Sequence, residues 1–224
     1  MTRSQRFVAG ALTVGAMVTA ADGARAELSQ GTQQAVAIFA GGCFWCMEPP
    51  FDALEGVIST TSGYTGGQTK NPTYEQVSEG RTGHTEALRV VYDPSKITYE
   101  KLLEVFWRNH DPLDGGGQFC DRGSQYRSGI FYQSEPERVL AEASKAKVAG
   151  RLARPISTAI VAAGPFYDAE GYHQDYYKKN PVRYKLYTWN CGRAQRLEEI
   201  WGTSSDGRVS SETSTPTPKI NGTP

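Results

Sequence analysis

Two cysteines, Cys43 and Cys46, are the residues of this sequence best suited to carry out chemistry. They follow a short apolar run and the pair Gly41-Gly42, a pattern that predicts a buried strand, a tight turn and the start of a helix. At a helix start, unpaired backbone N–H groups and the helix dipole lower the pKa of a thiol, and a glycine pair lets a substrate approach the backbone closely. One helical turn separates the two Cβ atoms by about 5–6 Å, which allows a disulfide after modest adjustment. The spacing therefore predicts a redox-active thiol pair.

The other two of the four cysteines, Cys120 and Cys191, leave several roles to weigh. In an exported protein an even number of cysteines suggests structural disulfides, but a domain of this size folds without them, and a Cys-x-x-Cys pair closes almost no chain. A zinc site needs two cysteine pairs at the spacing of a finger or ribbon, and these two residues are isolated from each other, so we expect no metal. Two chemistries stay open on the residues alone: a thioredoxin-type thiol–disulfide oxidoreductase, or a thiol reductase that attacks an oxidised small group.

The N-terminal 26 residues have the pattern of a secretory signal peptide. Arg3 and Arg6 give a basic start, residues 7–21 form a mostly apolar run, and residues 24–26 read Ala-Arg-Ala, a small-x-small cleavage pattern. The apolar run is short for a membrane-spanning helix, so cleavage after Ala26 is favoured over an uncleaved membrane anchor. Because this segment contains no twin-arginine pair, ordinary secretion to a periplasm is the predicted route.

Composition bounds the rest of the molecule. The 224 residues suffice for one sizeable core, and 24 basic against 24 acidic residues give no bulk attraction to nucleic acid or to an acidic membrane surface. Residues 203–224 are rich in Ser, Thr, Pro and Gly with almost no apolar residue, so we expect a disordered tail. The working domain is therefore predicted to span residues 34–202.

Within this domain, strands and helices are predicted to alternate irregularly. Apolar runs and alternation predict strands at residues 35–39, 57–64, 87–92, 128–132 and 156–162. Helical patterns and caps predict helices at 43–54, 98–108, 134–149, 172–178 and 195–201, and a Gly-rich loop at 111–123. Pro49 and Pro50 should keep the first helix short or kinked. With no hairpin-length gap between strands, the pattern predicts an α+β fold: a two-layer α/β sandwich with a central mixed sheet, a ferredoxin-like core and long irregular segments.

Six short motifs, in order along the chain, resemble methionine sulfoxide reductase A. They are Gly-Cys-Phe-Trp-Cys-Met-Glu at 42–48, Ser-Gly-Tyr-Thr-Gly-Gly at 62–67, Asn-Pro-Thr-Tyr at 71–74, Gly-His-Thr-Glu at 83–86, Gly-Ser-Gln-Tyr-Arg-Ser at 123–128 and Tyr-His-Gln-Asp-Tyr at 172–176. Together they cover essentially all of residues 35–202. The resemblance implies an enzyme that reduces methionine-S-sulfoxide, free or in proteins, by thiol chemistry without a metal or an organic cofactor.

The resemblance assigns Cys43 as the nucleophile and Glu86 as the proton donor to the sulfoxide oxygen. A carboxyl group kept neutral by burial can act as an acid near neutral pH, whereas a lone Glu on a strand is by default a surface charge. His173 is predicted to support the site, because sulfoxide reduction needs no second base. His84 and His110 are predicted to be structural.

The resemblance also implies a substrate pocket with a polar and an apolar side. Tyr74 and Tyr126 would direct their hydroxyls at the sulfoxide oxygen, with Asp121 nearby in the polar wall. Phe44 and Trp45 would form the apolar wall around the methionine methyl group. From the residues alone, each tyrosine is equally well a core side chain with a satisfied hydroxyl, and aromatic residues beside a turn are usually core.

Attack on the substrate would leave a sulfenic acid on Cys43, which a second thiol converts to a disulfide. Spacing favours Cys46 as this resolving cysteine. Cys191 is the rival, because family members often resolve from a cysteine near the C-terminus, but here a helical pattern follows it instead of a Gly-rich mobile tail. Cys120 is a further alternative because it adjoins Asp121.

The implied cycle ends when a thioredoxin-like dithiol protein, the expected electron donor and partner, reduces that disulfide. Oxidised proteins or free methionine sulfoxide are the expected substrates. The resemblance favours a monomer that binds no nucleic acid and is not inserted in a membrane after signal removal. Two other classes of function stay in view: a general Cys-x-x-Cys oxidoreductase, and a secreted binding module whose cysteines are structural disulfides. Oxidoreductases of the thioredoxin type lack the Tyr and Glu residues named above. They also normally carry a cis-proline loop opposite the thiols, and this sequence shows no sign of one.

Overall fold

The computed structural model describes residues 34–202. The predicted signal peptide at 1–26 and the predicted disordered tail at 203–224 lie outside the described residues, so both stay predictions. Among the described residues, none of the helices combines the length and the apolar character needed to cross a membrane.

A six-stranded mixed sheet forms the centre of the described domain. Its strands are β1 (Ala35–Gly41), β2 (Val57–Thr65), β3 (Thr85–Tyr92), β6 (Ser128–Tyr132), β7 (Ala159–Ala162) and β8 (Tyr167–Asp168). Their order across the sheet is β7-β6-β1-β3-β2-β8, and all neighbours are antiparallel except β6 and β7. A separate hairpin of β4 (Gly117–Gln118) and β5 (Asp121–Arg122) leads into a short 3₁₀ helix (Ser124–Tyr126).

The helices of the described domain connect these strands and cover the sheet. They are α1 (Phe44–Asp52), α2 (Tyr74–Ser78), α3 (Tyr99–Arg108), α4 (Glu135–Leu152), α5 (Tyr176–Lys179), α6 (Pro181–Asn190) and α7 (Arg193–Trp201). Helix α1 connects β1 to β2, and α3 lies between β3 and β6 in the chain, so these two helices and the strand order β6-β1-β3-β2 form a ferredoxin-like core. The predicted α+β sandwich with a mixed sheet is confirmed.

The main core lies between the sheet and the helices α1, α3 and α4. The Phe39 ring of β1 stacks on Phe51 of α1 at 5.4 Å and on Phe106 of α3 at 5.0 Å, measured between ring centroids. Burying each such side chain stabilises the fold by about 1.5–3 kcal/mol. Helix α3 begins where predicted, because the Thr98 side chain accepts a hydrogen bond from the Lys101 N–H.

The predicted helix at 172–178 is wrong over its first four residues, because α5 begins only at Tyr176. Asp175 has a left-handed backbone with a φ of 53°, which an α-helix does not accommodate. Side chains satisfy the backbone instead. The Gln174 amide donates to the carbonyls of Ser62 and Ala169, and its oxygen accepts from the Ser62 N–H at 2.8 Å. The segment therefore docks on β2 much as an additional strand would.

The structure departs from the sequence prediction at four further places. Helix α2 follows a capping box of Thr73 and Gln76, and α6 opens with Pro181, a favoured first residue of helices. The β4–β5 hairpin lies in the segment predicted as a loop at 111–123 and contradicts the expected lack of hairpins. The strand predicted at 156–162 begins only at residue 159. Helix α2 has five residues and the hairpin strands have two each, while α6 buries none of its residues, so hydrophobic periodicity carries little signal for any of them.

Glu48 connects α1 to the docked segment. Its Oε1 accepts a hydrogen bond from the Asp175 N–H at 3.2 Å, and the side chain is only 1% exposed. Burial, the largest effect, raises the pKa of Glu48 to about 7 from an ordinary value of 4.5. A folded-state pKa above the unfolded one means that ionisation opposes folding.

We therefore expect Glu48→Gln to gain stability relative to the native chain as pH rises. Below about pH 4.5 the Glu48 carboxyl is neutral in both states. Between about 4.5 and 7 only the unfolded chain releases its proton, so the native chain loses stability there, and above about 7 the loss is constant. Urea unfolding should show the variant's relative stability rising by about 1 kcal/mol or more from pH 4.5 to 7.5. Glu55→Gln on the exposed turn is the control. A difference in unfolding free energy between E48Q and the native chain that does not change with pH would contradict the raised pKa of Glu48.

Candidate active site

The end of β1 and the start of β3 meet at one edge of the sheet. Phe39 pairs with Leu88 in antiparallel register, so the chain leaving β1 passes beside Glu86. The turn that follows requires Gly42, whose φ is 85° and at which an added Cβ would lie 2.5 Å from the Gln118 Cβ. The close approach at this glycine is therefore made by the protein's own Gln118, which corrects the expectation that a substrate makes it.

Cys43 is the N-cap residue of α1, and Cys46 lies one turn further along. Both thiols are buried, neither is in a disulfide, and they are hydrogen-bonded to each other. Burial is the main reason that the pKa of Cys43 is raised well above its ordinary value, and the bond to Cys46 raises it further. The same bond lowers the pKa of Cys46. The expected lowering of the Cys43 pKa by the helix start is wrong here, because desolvation outweighs the field of the helix end.

Glu86 supplies a neutral acid beside the thiol. The side chain is buried on β3, and its Oε2 accepts a hydrogen bond from the Phe44 N–H at 3.0 Å. Burial is the largest cause that raises the pKa of Glu86 to about 8, while the Phe44 N–H opposes the shift and the nearby Asp121 adds to it. The carboxyl is therefore protonated at neutral pH. Because Phe44 occupies Oε2, Oε1 is left to carry the proton.

One cavity of about 100 Å³ brings the predicted groups together. Its lining residues are Cys43, Phe44, Trp45, Tyr74, Glu86, Asp121, Tyr126 and Tyr187. Every residue predicted to react with or contact the substrate lines it, apart from Cys46, which adjoins Cys43. Tyr187 was not predicted, since it lies on α6, a helix that the sequence analysis missed. The proline that opens α6 was the signal for that helix.

Two phenols face the acid across the cavity. Burial raises the pKa of Tyr74 to about 12 and also raises that of Tyr126, so both hydroxyls keep their protons at neutral pH. The Tyr74 N–H donates to Glu170 Oε1 at 2.8 Å, and the Tyr64 hydroxyl donates to the other oxygen of Glu170 at 2.8 Å. Glu170 thus fixes the start of α2, a role that none of the six motifs indicates. The two phenols can donate hydrogen bonds to an oxygen bound between them.

The apolar wall is held by stacked rings around His173. The Trp45 ring stacks on Tyr176 with centroids 3.6 Å apart, and its indole N–H donates to His173 Nδ1 at 3.0 Å. His173 also packs against Phe44 at 5.0 Å and Tyr74 at 4.4 Å. Burial lowers the pKa of His173, so the ring is neutral and carries its proton on Nε2. The His173 ring thus holds the Trp45 indole and packs against the rings on both sides of it.

The other two histidines make structural contacts. The His84 ring accepts from the Gly67 N–H at 3.1 Å and so holds the loop between β2 and β3. The buried His110 ring bonds the Phe106 carbonyl and the Thr158 hydroxyl, each at 2.9 Å. Burial lowers the pKa of His110 to about 4, so it stays neutral in the core.

Cys120 and Cys191 form a disulfide, although 71 positions separate them along the chain. This pairing was not predicted, because nothing in the spacing showed that the β4–β5 hairpin meets the end of α6. Asp121, next to Cys120, accepts a hydrogen bond from the Tyr187 hydroxyl, which lies one helical turn before Cys191. The potential ligand atoms of Cys120, Asp121 and Cys191 lie within 4.8 Å of one another. The two sulfurs are bonded to each other, however, so this group offers a metal one carboxylate and no thiolate.

A larger cavity of about 230 Å³ runs along β6 and β7. Its lining residues are Gly66, Arg127, Ser128, Gly129, Phe131, Ala159, Val161 and Ala162. This lining includes no thiol, carboxylate or phenol, so the chemistry belongs to the smaller cavity beside Cys43.

Known proteins share most of the sequence of this chain. The sequence pattern of the peptide methionine sulfoxide reductase family matches residues 35–205, well over half of the chain. The chain belongs to this family. Peptide methionine sulfoxide reductase MsrA of Bacillus licheniformis is 53% identical over 173 residues, which is 76% of this chain and 96% of that protein. MsrA of Bacillus subtilis is 54% identical over 169 residues, or 75% of this chain and 96% of its own.

Solved structures of the family share the fold. Reduced Mxr1 from Saccharomyces cerevisiae superposes with a TM-score of 0.65 at 33% identity, over 68% of this chain and 88% of that one. Methionine sulfoxide reductase A of Corynebacterium diphtheriae gives 0.61 at 36% identity, over 69% and 78%. The chain is thus a peptide-methionine (S)-S-oxide reductase (EC 1.8.4.11) that uses thiol reductants and no prosthetic group. The resemblance found in the motifs is confirmed.

We expect the Glu86 carboxyl to set an alkaline limit to the rate of the first turnover. If Glu86 is the acid, the rate of methionine formation in a single turnover should fall as pH rises through about 8, because the carboxyl then ionises. Glu86→Gln should slow that turnover about 100-fold or more, since an amide has no acidic proton to transfer. The rate of this variant should not fall as pH rises through about 8. Glu100→Gln, an exposed carboxyl on α3, is the control. A native enzyme whose rate does not fall between pH 7 and 9.5 argues against Glu86 as the acid.

Proposed function

We propose that Cys43 attacks the sulfoxide sulfur while Glu86 protonates the oxygen. The observation that carries this proposal is the single cavity in which a buried thiol, a neutral carboxyl and two protonated phenols face one another. In the net step, the S–O bond of the sulfoxide breaks and an S–O bond to Cys43 forms. Methionine leaves and Cys43 becomes a sulfenic acid. Cys43 is oxidised and the substrate sulfur is reduced, so the electrons balance.

Tyr74 and Tyr126 hold the sulfoxide oxygen during this step. Hydrogen bonds to the oxygen grow stronger as negative charge develops there, so donors fixed in a dry pocket favour the transition state over the bound substrate. The methyl group of the substrate lies against Phe44 and Trp45, which select an apolar thioether end. An R epimer would exchange the positions of oxygen and methyl, placing the oxygen on the rings and leaving the phenols unpaired.

Cys46 resolves the sulfenic acid. It is hydrogen-bonded to Cys43, and its lowered pKa favours the thiolate that attacks. Cys120 and Cys191 are bonded to each other and line no part of the cavity, which supports Cys46 over both alternatives. The Cys46 sulfur bonds to Cys43, the hydroxyl of the sulfenic acid leaves as water, and a disulfide remains.

A thioredoxin-like dithiol protein closes the cycle. One of its thiolates attacks the Cys43–Cys46 disulfide, its second thiol then forms a disulfide within the partner, and both cysteines of the enzyme are released as thiols. Every group that the enzyme itself contributes to the cycle lies in one chain, which supports a monomeric enzyme. The substrate is free methionine sulfoxide or the same residue in an oxidised protein.

Mass spectrometry after one turnover without reductant identifies the resolving cysteine. The native enzyme should yield one methionine per chain and a Cys43–Cys46 disulfide, with Cys120–Cys191 unchanged. Cys46→Ser should still release one methionine but keep a sulfenic acid that dimedone traps, while Cys43→Ser releases none. A crosslink of Cys43 to Cys120 or Cys191, with Cys46 free, would overturn the assignment.

The same preparations separate the general Cys-x-x-Cys oxidoreductase from the reductase. We expect dabsyl-methionine sulfoxide to be reduced with dithiothreitol while the disulfides of insulin are not reduced faster than by dithiothreitol alone. Insulin reduction that depends on Cys43 without any sulfoxide turnover would favour the oxidoreductase instead.

We further propose that residues 1–26 export the enzyme to a periplasm. The basic start, the apolar run and the Ala-Arg-Ala site support this route. Expressed in a Gram-negative host, the chain should appear in the osmotic-shock fraction with Glu27 as its first residue. A form lacking residues 2–26 should stay in the cytoplasm. Cytoplasmic full-length protein that retains its leader would contradict the proposal.

A further inference from the structure

Tyr187 reaches the reaction cavity from outside the predicted motifs. It lies on α6, donates its hydroxyl hydrogen to Asp121 Oδ2 and lines the cavity together with Cys43. Its ring meets the Trp45 ring edge-on with centroids 6.0 Å apart. Hydrogen bonding from the same hydroxyl also acts to lower the pKa of the Cys43 thiol, against the larger effect of burial. Tyr187 therefore stands between a thiol that must lose a proton and a carboxylate that can accept one.

We propose that Tyr187 is a catalytic residue that relays the Cys43 proton to Asp121, and that the Cys120–Cys191 disulfide holds the relay in place. The proposal rests on the proposed function, because it concerns the activation of the same thiol. In the relay, the Tyr187 O–H bond breaks as its proton passes to Asp121 Oδ2, and the Cys43 proton passes to the Tyr187 oxygen. Tyr187 ends as it began, Asp121 becomes a neutral acid and Cys43 becomes a thiolate.

The relay provides an acceptor for the Cys43 proton inside the buried cavity. A buried thiol gives up its proton reluctantly, and Glu86 is already protonated, so it cannot be the acceptor. Burial raises the pKa of Asp121, which makes this carboxylate a better base than an exposed one. Burial and the acidic neighbours raise the pKa of Tyr187 far above its ordinary value, so the tyrosine passes a proton on without becoming a phenolate. After transfer, its hydroxyl donates to the thiolate.

The charged and titratable groups around the relay fit this direction of transfer. Arg193, on α7, lowers the pKa of Asp121, and so does the hydrogen bond from Tyr187, but burial outweighs both. Glu86 and Tyr126 face Asp121 across the cavity, and its charge raises the pKa of each. Glu86 gives its proton to the sulfoxide oxygen while Asp121 receives one from Cys43. When the proton of Asp121 returns to Glu86 through solvent, the two carboxyls are ready for another turnover.

The disulfide fixes both ends of the Tyr187–Asp121 hydrogen bond. Cys120 directly precedes Asp121, and Cys191 follows Tyr187 by one helical turn, with the two cysteine Cα atoms 4.8 Å apart. None of the residues of α6 is buried, so packing alone gives this helix little to define its place. The covalent bond keeps α6 against the β4–β5 hairpin and thereby keeps the tyrosine over the thiol.

The test compares Tyr187→Phe with Tyr184→Phe, which removes a hydroxyl from the same helix where the ring packs against Tyr177. Single-turnover rates are measured from pH 6 to 9.5 with dabsyl-methionine sulfoxide. We expect Y187F to be slowed about 10-fold or more at pH 7 and less at pH 9.5, where hydroxide can take the proton. Asp121→Asn should show the same pH signature. Y184F should stay within about twofold of the native rate.

A second readout does not depend on turnover. The rate of iodoacetamide alkylation of Cys43, located by mass spectrometry, is followed against pH without substrate. Y187F should move its midpoint to higher pH by removing the donor to the thiolate. An unchanged midpoint together with an unchanged turnover, or a slowing by one constant factor at every pH, would overturn the relay. Absence of sulfoxide turnover in the native enzyme would instead defeat the proposed function.

The role of the disulfide is tested with the double variant Cys120→Ser, Cys191→Ser. It should slow the single turnover and move the Cys43 alkylation midpoint in the same direction as Y187F. In the Y187F background the double change should have little additional effect, because both act through one hydroxyl. A folded double variant with native rates and a native midpoint would show that the disulfide does not hold the relay.

Discussion

The hydrogen bond from the Phe44 N–H to Glu86 Oε2 joins the nucleophile to the acid. The donor is one of the first N–H groups of α1, which the helix itself leaves unpaired, and the N-cap of that helix is Cys43. Thiol and carboxyl are thus fixed by the backbone of one helix end against one strand, not by long flexible side chains. The pairing of β1 with β3 and the left-handed turn at Gly42 are what bring the two within reach of each other. A shift of register by one residue would send Glu86 to the opposite face of the sheet.

Desolvation acts on this pair in opposite senses. It keeps Glu86 protonated, as an acid must be. It also keeps Cys43 protonated, although a thiol must lose its proton to act as a nucleophile. A wetter cavity would free the thiolate but would ionise Glu86 and weaken the hydrogen bonds of the phenols. The dry site therefore requires a separate route for the thiol proton. Tyr187 and Asp121 both line the cavity, and Glu86, the other carboxyl in its lining, is protonated at neutral pH.

The motifs predicted which side chains gather in one cavity, because each motif combines a local geometry with a reactive group. Cys43 follows a strand and a glycine turn, and the fold that places it there was predicted from hydrophobic patterning. The pKa of Cys43 was predicted with the wrong sign, since a helix start is visible in the sequence and the depth of burial is not. Tyr187 and the Cys120–Cys191 bond were missed because they depend on where α6 packs. Likewise, Gln174 satisfies the backbone of Ser62 across 112 positions, a contact that local patterns do not encode.

The surface helix α6 shows how a site can depend on an element with almost no core. Its exposed residues Val182, Leu186 and Trp189 bury little area, yet it supplies a cavity wall. A disulfide that closes a loop of 71 positions lowers the entropy of the unfolded chain and so stabilises the fold by about 4 kcal/mol. This is more than a helix without buried residues gains from packing. Such a bond persists only where the surroundings are oxidising. A partly exposed structural disulfide in an enzyme that dithiols recycle is therefore consistent with the proposed export. A reducing cytosol would reduce the Cys120–Cys191 bond, and α6 would then no longer hold Tyr187 beside Cys43.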